Sequence, residues 1–172
     1  DLLVRNAFVI TLDIDRNVFS HGAVAVKGCN LIDVGPEKEV ISRVIAKRTI
    51  DACGGILHPG FIDAHNHIVG AGCRGIFANN SIDPKSGVNF ATWKADVTSD
   101  DEAIATKLTS LQLLHNGYTC TVEAGTVFDV EAVAAASQEV GIRMCLAAPY
   151  LWDTVDIMKY LGSLESAKLF KR

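Results

Sequence analysis

His58-Pro59-Gly60-Phe61-Ile62-Asp63-Ala64-His65-Asn66-His67 carries a turn signal followed by a short run with two closely spaced histidines. Pro-Gly marks a turn, and the seven residues after it are β-compatible and lack a helical period. Side chains alternate between the faces of a strand, so Phe61, Asp63, His65 and His67 are expected on one face. Two imidazoles two residues apart can turn toward one point, and neutral imidazole is the commonest side-chain metal ligand. A histidine pair can equally be an ordinary polar patch. The apolar neighbours Ile62, Ile68 and Val69 weigh against that reading. A polar inner face beside an apolar outer one suits a barrel strand covered by helices, with its site at the carboxyl end.

Downstream, Ser99-Asp-Asp-Glu102 reads as a capping box, followed by Ile104, Leu108, Leu111 and Leu114 at helical spacing and a stop at Asn116-Gly117. Tyr118–Val122 reads as a second strand. A helix from an Asp129 N-cap to Gly141 follows, then a third strand over 142–148. Segments 154–161 and 164–170 look helical. Strand, helix, strand, helix, strand, helix is the order of parallel βαβ units. No Gly-x-Gly-x-x-Gly loop follows any strand, which removes the dinucleotide-binding alternative. The loop from Gly70 to about Asp96 is long enough to be a lid or binding segment. Within it, Arg74 and Trp93 are candidate substrate contacts, although Trp93 can simply anchor the loop.

Upstream, 2–13, 22–27, 31–35 and 47–52 read as short strands, with a Gly28-Cys29-Asn30 hairpin turn and a short helix near 36–46. Residues 1–56 are therefore expected to form a small all-β, sandwich-like domain, and residues 57–172 the first three β/α units of a (β/α)8 barrel of TIM type.

The totals set bounds. The 172 residues are 49% hydrophobic and 21% charged, with a net charge of -4, which is globular composition. With no basic cluster, nucleic acid is not an expected partner. Five scattered cysteines without a Cys-x-x-Cys pair read as free thiols in a reducing compartment, so a cytoplasmic location is expected. No apolar run approaches the ~20 residues of a membrane span.

Pro59-Gly-Phe-Ile-Asp-Ala-His-Asn-His67 resembles the first-strand signature of the amidohydrolase superfamily of metal-dependent hydrolases. His115–Gly125 and Val140–Leu146 are similar to its second- and third-strand regions, and the layout is most similar to the deaminase and triazine-dechlorinase branch. The resemblance implies His65 and His67 as ligands of one divalent metal, zinc or iron(II), that activates water to cleave C–N or related bonds, deaminating a nitrogen heterocycle. It also implies a small-molecule substrate and a homo-oligomeric full-length protein. Further ligands and the acid/base residues lie, in the family, on later strands, so no catalytic residue is expected within this span. A barrel takes ~250 residues, so the chain is expected to be the N-terminal portion of a longer one and inactive alone. Two alternatives stay open: a cyclic-amide hydrolase of dihydropyrimidinase type with a dinuclear site, and a non-catalytic truncated or degenerate homologue.

The remaining candidates divide by position. His21, His58 and His115 are poor ligands, the last closing a helix where a cation meets the dipole. Asp63 is read as a hydrogen-bonding residue one layer below the histidines. Glu123, at the carboxyl end of the second strand, is a candidate substrate contact at the pocket mouth.

Overall fold

A computed structural model describes residues 1–76, 93, 94 and 96–147. It divides the chain into two units, Asp1–Pro59 and Gly60–Arg172, parting at the dipeptide that opens the motif. The segments expected to be helical at 154–161 and 164–170, and most of the loop between Gly70 and Asp96, lie outside the described residues.

In the first unit the apolar runs form β1 (Leu2–Ile10), β2 (Val18–Lys27), β3 (Asn30–Pro36), β4 (Arg48–Asp51) and β5 (Ile56–Leu57), with α1 (Glu37–Arg43) after β3. The order is β3-β2-β1-β4, and β5 also pairs with β1. Antiparallel β2 and parallel β4 and β5 therefore all use β1. Among the described residues the five strands form one mixed sheet, a correction to the sandwich-like expectation, and α1 falls within the helix expected near 36–46. The pairing of Ile56 and Leu57 with β1 also keeps both residues in this unit, so the division falls after Pro59 and not after Ile56. Register shifts on either side of Ala7 bend β1. As a result Leu3 packs with Ala23, Ala25 and Val40, while Ala7 and Val9 pack with Val24 in a second cluster.

The second unit alternates strand and helix. It comprises β6 (Phe61–Asn66), a 3₁₀ turn (Ile68–Cys73), α2 (Ser99–His115), β7 (Tyr118–Glu123), α3 (Val130–Val140) and β8 (Arg143–Leu146). The three strands are parallel in the order β6-β7-β8, as the sequence order predicts. Asp129 caps α3 by accepting from the Ala132 amide at 2.9 Å, and Gly141 closes it. The core joins Ile68, Val69, Ala105, Val127 and Val133.

Gly60 shows why the motif opens as it does. A Cβ built there would lie 2.2 to 2.7 Å from Thr119 side-chain atoms, so only glycine lets the backbone pass the start of β7. Phe61 then donates its amide to the Gly117 carbonyl at 2.9 Å, which sets β6 against β7.

Helix α2 departs from the sequence reading in two ways. Its cap is one residue earlier: Thr98 accepts from the Asp101 amide, and Asp101 reaches back to the Thr98 amide. Its apolar stripe also turns outward, with Ile104 66% exposed and Leu108 and Leu111 likewise exposed. The inward face is the small and polar one, Ala105, Thr106, Thr109 and Ser110. These side chains let α2 approach closely enough for the Thr109 hydroxyl to donate to the Ile68 carbonyl at 2.8 Å.

Glu102, freed from capping, is 1% exposed. Its carboxylate accepts from Lys94 Nζ at 2.9 Å and from the backbone amides of Phe128 and Asp129 at 2.9 to 3.0 Å. Lys94 Nζ also lies 4.3 Å from the Phe128 ring centroid, a cation–π contact. A buried charge needs this degree of pairing, and stranding Lys94 by removing its partner is costly.

Two stability predictions follow from these contacts. Gly60→Ala overpacks the β6–β7 crossing and lowers the unfolding free energy by about 1–3 kcal/mol. Thr119→Ala in the same background restores most of it in urea titrations; no recovery contradicts the steric account. Glu102→Ala costs about 3–5 kcal/mol by leaving Lys94 buried and unpaired, and a loss below about 1 kcal/mol in the same assay contradicts it.

Candidate metal centre

The carboxyl end of β6 carries the histidine pair. Alternation along the strand is not strict, because its register against β7 shifts between Phe61 and Ile62 and again between Asp63 and Asn66. His65 is a strand residue, whereas His67 lies just past the strand, where the 3₁₀ turn begins. The two rings still converge. Their Nε2 atoms are 3.3 Å apart and their planes meet at 75°.

That separation has a chemical meaning. Two nitrogens bound to one tetrahedral zinc at about 2.0–2.1 Å stand about 3.3–3.4 Å apart. The pair therefore has the spacing of two ligands on one ion, and both rings are exposed enough to receive it. Among the described residues no group of three or more His, Cys, Asp or Glu side chains could hold a metal ion. A closed structural site is thus not formed by these residues; two of the usual positions are.

The backbone on either side of His67 is fixed. The Asn66 carbonyl accepts from the Ala124 amide at 3.0 Å, and the Ile68 carbonyl accepts from Thr109. Asp63 takes the structural place expected of it: Oδ2 accepts from Asn66 Nδ2 at 2.6 Å, and Oδ1 lies 3.4 Å from the His65 amide.

Glu123 is placed differently from the expectation of a pocket-mouth contact. It is fully buried, and its carboxylate accepts from the backbone amides of Gly125 at 2.5 Å and Thr126 at 3.0 to 3.1 Å. Gly125, at φ +83°, supplies the left-handed backbone that turns this loop back onto the carboxylate. The Thr126 hydroxyl bonds both to Glu123 Oε1 and, at 3.1 Å, to His67 Nδ1. Sequence reading passed over Thr126; its one signal is a hydroxyl three residues after a strand-end carboxylate.

Arg74 and Trp93 are held by neighbouring structure. Arg74 Nη1 donates to Gln112 Oε1 of α2 at 2.6 Å. Trp93 lines a cavity of about 300 Å³ together with Val69, Gly72, Glu102, Ala105 and Leu108, and neither histidine borders it. At the start of α3, the Ser99 hydroxyl and then the Ala132 amide hold the Asp129 carboxyl below its ordinary range.

Comparison with known proteins adds the following. A model of the amidohydrolase family matches residues 56–170. The chain is 26% identical over 155 residues to the 5'-deoxyadenosine deaminase of Methanococcoides burtonii, an alignment covering 89% of this chain and 34% of that protein. Among solved structures, an adenosine deaminase from Xanthomonas campestris with bound zinc superposes with a TM-score of 0.70 at 26% identity, over 84% of this chain and 33% of that one. A mutant atrazine chlorohydrolase from Arthrobacter aurescens, complexed with zinc and atraton, gives 0.67 at 22% identity, over 96% and 43%. The chain spans about a third of the length of the curated relatives it matches.

Proposed function

The chain belongs to the amidohydrolase family, and from that premise we propose that it acts as part of a metal-dependent hydrolase that deaminates a nitrogen heterocycle, with an aminopurine nucleoside as the substrate class. The observation that carries this reading is the 3.3 Å separation of the His65 and His67 Nε2 atoms at the carboxyl end of a parallel strand. The three parallel strands β6, β7 and β8 are read as the opening β/α units of a (β/α)8 barrel, in which that end is the catalytic face. Support for the substrate class comes from relatives named as 5'-deoxyadenosine deaminase and 5-methylthioadenosine/S-adenosylhomocysteine deaminase.

The reaction is the exchange of an exocyclic amine for oxygen. Water adds at the ring carbon bearing the amine, one of its protons passes to the adjacent ring nitrogen and the other to the departing amine, and the C–N bond breaks to leave a ring carbonyl and ammonia. A divalent metal, when bound, acts as a Lewis acid that lowers the pKa of coordinated water toward neutrality. Within this chain the contribution is positional. His65 and His67 bring two imidazole Nε2 atoms to one point, and the bonds from Ala124 and Thr109 to the flanking carbonyls keep His67 from swinging away. No residue of this span is assigned to proton transfer.

The test uses the full-length protein, with metal content and adenosine-type deamination measured together. About one zinc or iron per chain is expected. His65→Ala and His67→Ala each lose the metal, and kcat/KM falls on the order of 10³-fold or more, since a Lewis-acid contribution is several kcal/mol and each ~1.4 kcal/mol is tenfold. Unchanged metal content and turnover in both variants contradict the assignment. Two ions per chain favour the cyclic-amide alternative over deamination.

A further inference from the structure

We propose that Thr126 is a positioning residue that sets the tautomer of His67, with Glu123 as the group that sets Thr126. The inference deepens the metal-site reading, and it rests on a chain of hydrogen bonds whose direction follows from an ionised Glu123.

Glu123 is the fixed end. It is fully buried and serves as acceptor for two backbone amides of its own loop. An ionised carboxylate has no proton to give, so in the contact between the Thr126 hydroxyl and Glu123 Oε1 the hydroxyl is the donor. A hydroxyl has one proton. With that proton committed to Glu123, Thr126 Oγ1 can meet His67 Nδ1, 3.1 Å away, only by accepting. The proton of the neutral His67 ring is therefore on Nδ1, and its Nε2 presents a lone pair toward His65 Nε2.

Metal-ligating imidazoles usually donate their other ring N–H to a carboxylate, carbonyl or water, and loss of that partner typically costs 10–100-fold in metal affinity. Here a threonine hydroxyl stands between the imidazole and the carboxylate. Thr126 is 4% exposed, so water is a poor substitute for its hydroxyl. This arrangement also gives Glu123 a defined purpose without any contact to substrate.

The experiment is done on full-length protein labelled with ¹⁵N-histidine, stripped of metal for long-range ¹H–¹⁵N correlation spectra, then titrated with zinc against a chelator. The spectra read the tautomer directly, which a merely structural role would leave unaffected. Wild-type His67 is expected in the Nδ1–H form; an Nε2–H form in the wild type overturns the proposal without recourse to any variant. Thr126→Val is expected to give mixed tautomers and zinc binding weaker by about 10–100-fold, and Thr126→Ser to restore both. A valine variant with wild-type tautomer and affinity overturns the proposal. Wild-type protein that shows the Nδ1–H form yet binds no zinc supports the hydrogen-bond chain and contradicts the proposed hydrolase, so the two failures are distinguishable.

Discussion

The second unit rests on the loop after β7, which must bring backbone amides inside and give them partners. Buried N–H groups without acceptors are costly, and residues 124–129 run through the interior. Two buried carboxylates meet the need from opposite directions. Glu123 takes the amides of Gly125 and Thr126, and Glu102, from α2, takes those of Phe128 and Asp129. The carboxylate of Asp129 continues the series by capping α3. The loop is thus held by three acidic side chains in succession.

That arrangement explains why chemistry-bearing residues end up in structural roles and leave the histidines prominent. Glu102 is neutralised by Lys94, which stacks near Phe128, so a buried charge becomes a joint between α2 and the start of α3. Glu123 fixes Thr126, and Thr126 meets His67. Rigidity in the loop is transmitted to one ring of the pair, while the other is placed by its strand. A site made this way holds two imidazole nitrogens 3.3 Å apart, the spacing of two ligands on one tetrahedral ion.

Much of this was legible before the structure. Periodicity and Gly/Pro punctuation gave the order of the parallel units, and the Asp129 and Gly141 termini of α3 could be read from local sequence. The His-x-His pair could be read as a convergent donor set because two residues is the strand repeat. What could not be read came from longer range. Thr98-Ser-Asp-Asp-Glu102 contains two overlapping capping boxes, Thr98 with Asp101 and Ser99 with Glu102. The choice between them was made by the amides of Phe128 and Asp129, 26 and 27 residues from Glu102. The leucine stripe of α2 has the spacing of a core face, but its small face packs inward because Thr109 must reach the Ile68 carbonyl. Glu123 looked like a mouth residue by its place at the strand end. Its burial depended on a turn at Gly125 that local pattern does not announce.

The proposed hydrolase requires one metal ion between the two imidazoles. Anomalous diffraction at the zinc edge, from crystals of the full-length protein, tests it most directly. The account predicts a peak about 2.0–2.1 Å from Nε2 of both His65 and His67. A peak bound through Nδ1 of His67, or a metal that engages neither histidine, contradicts it.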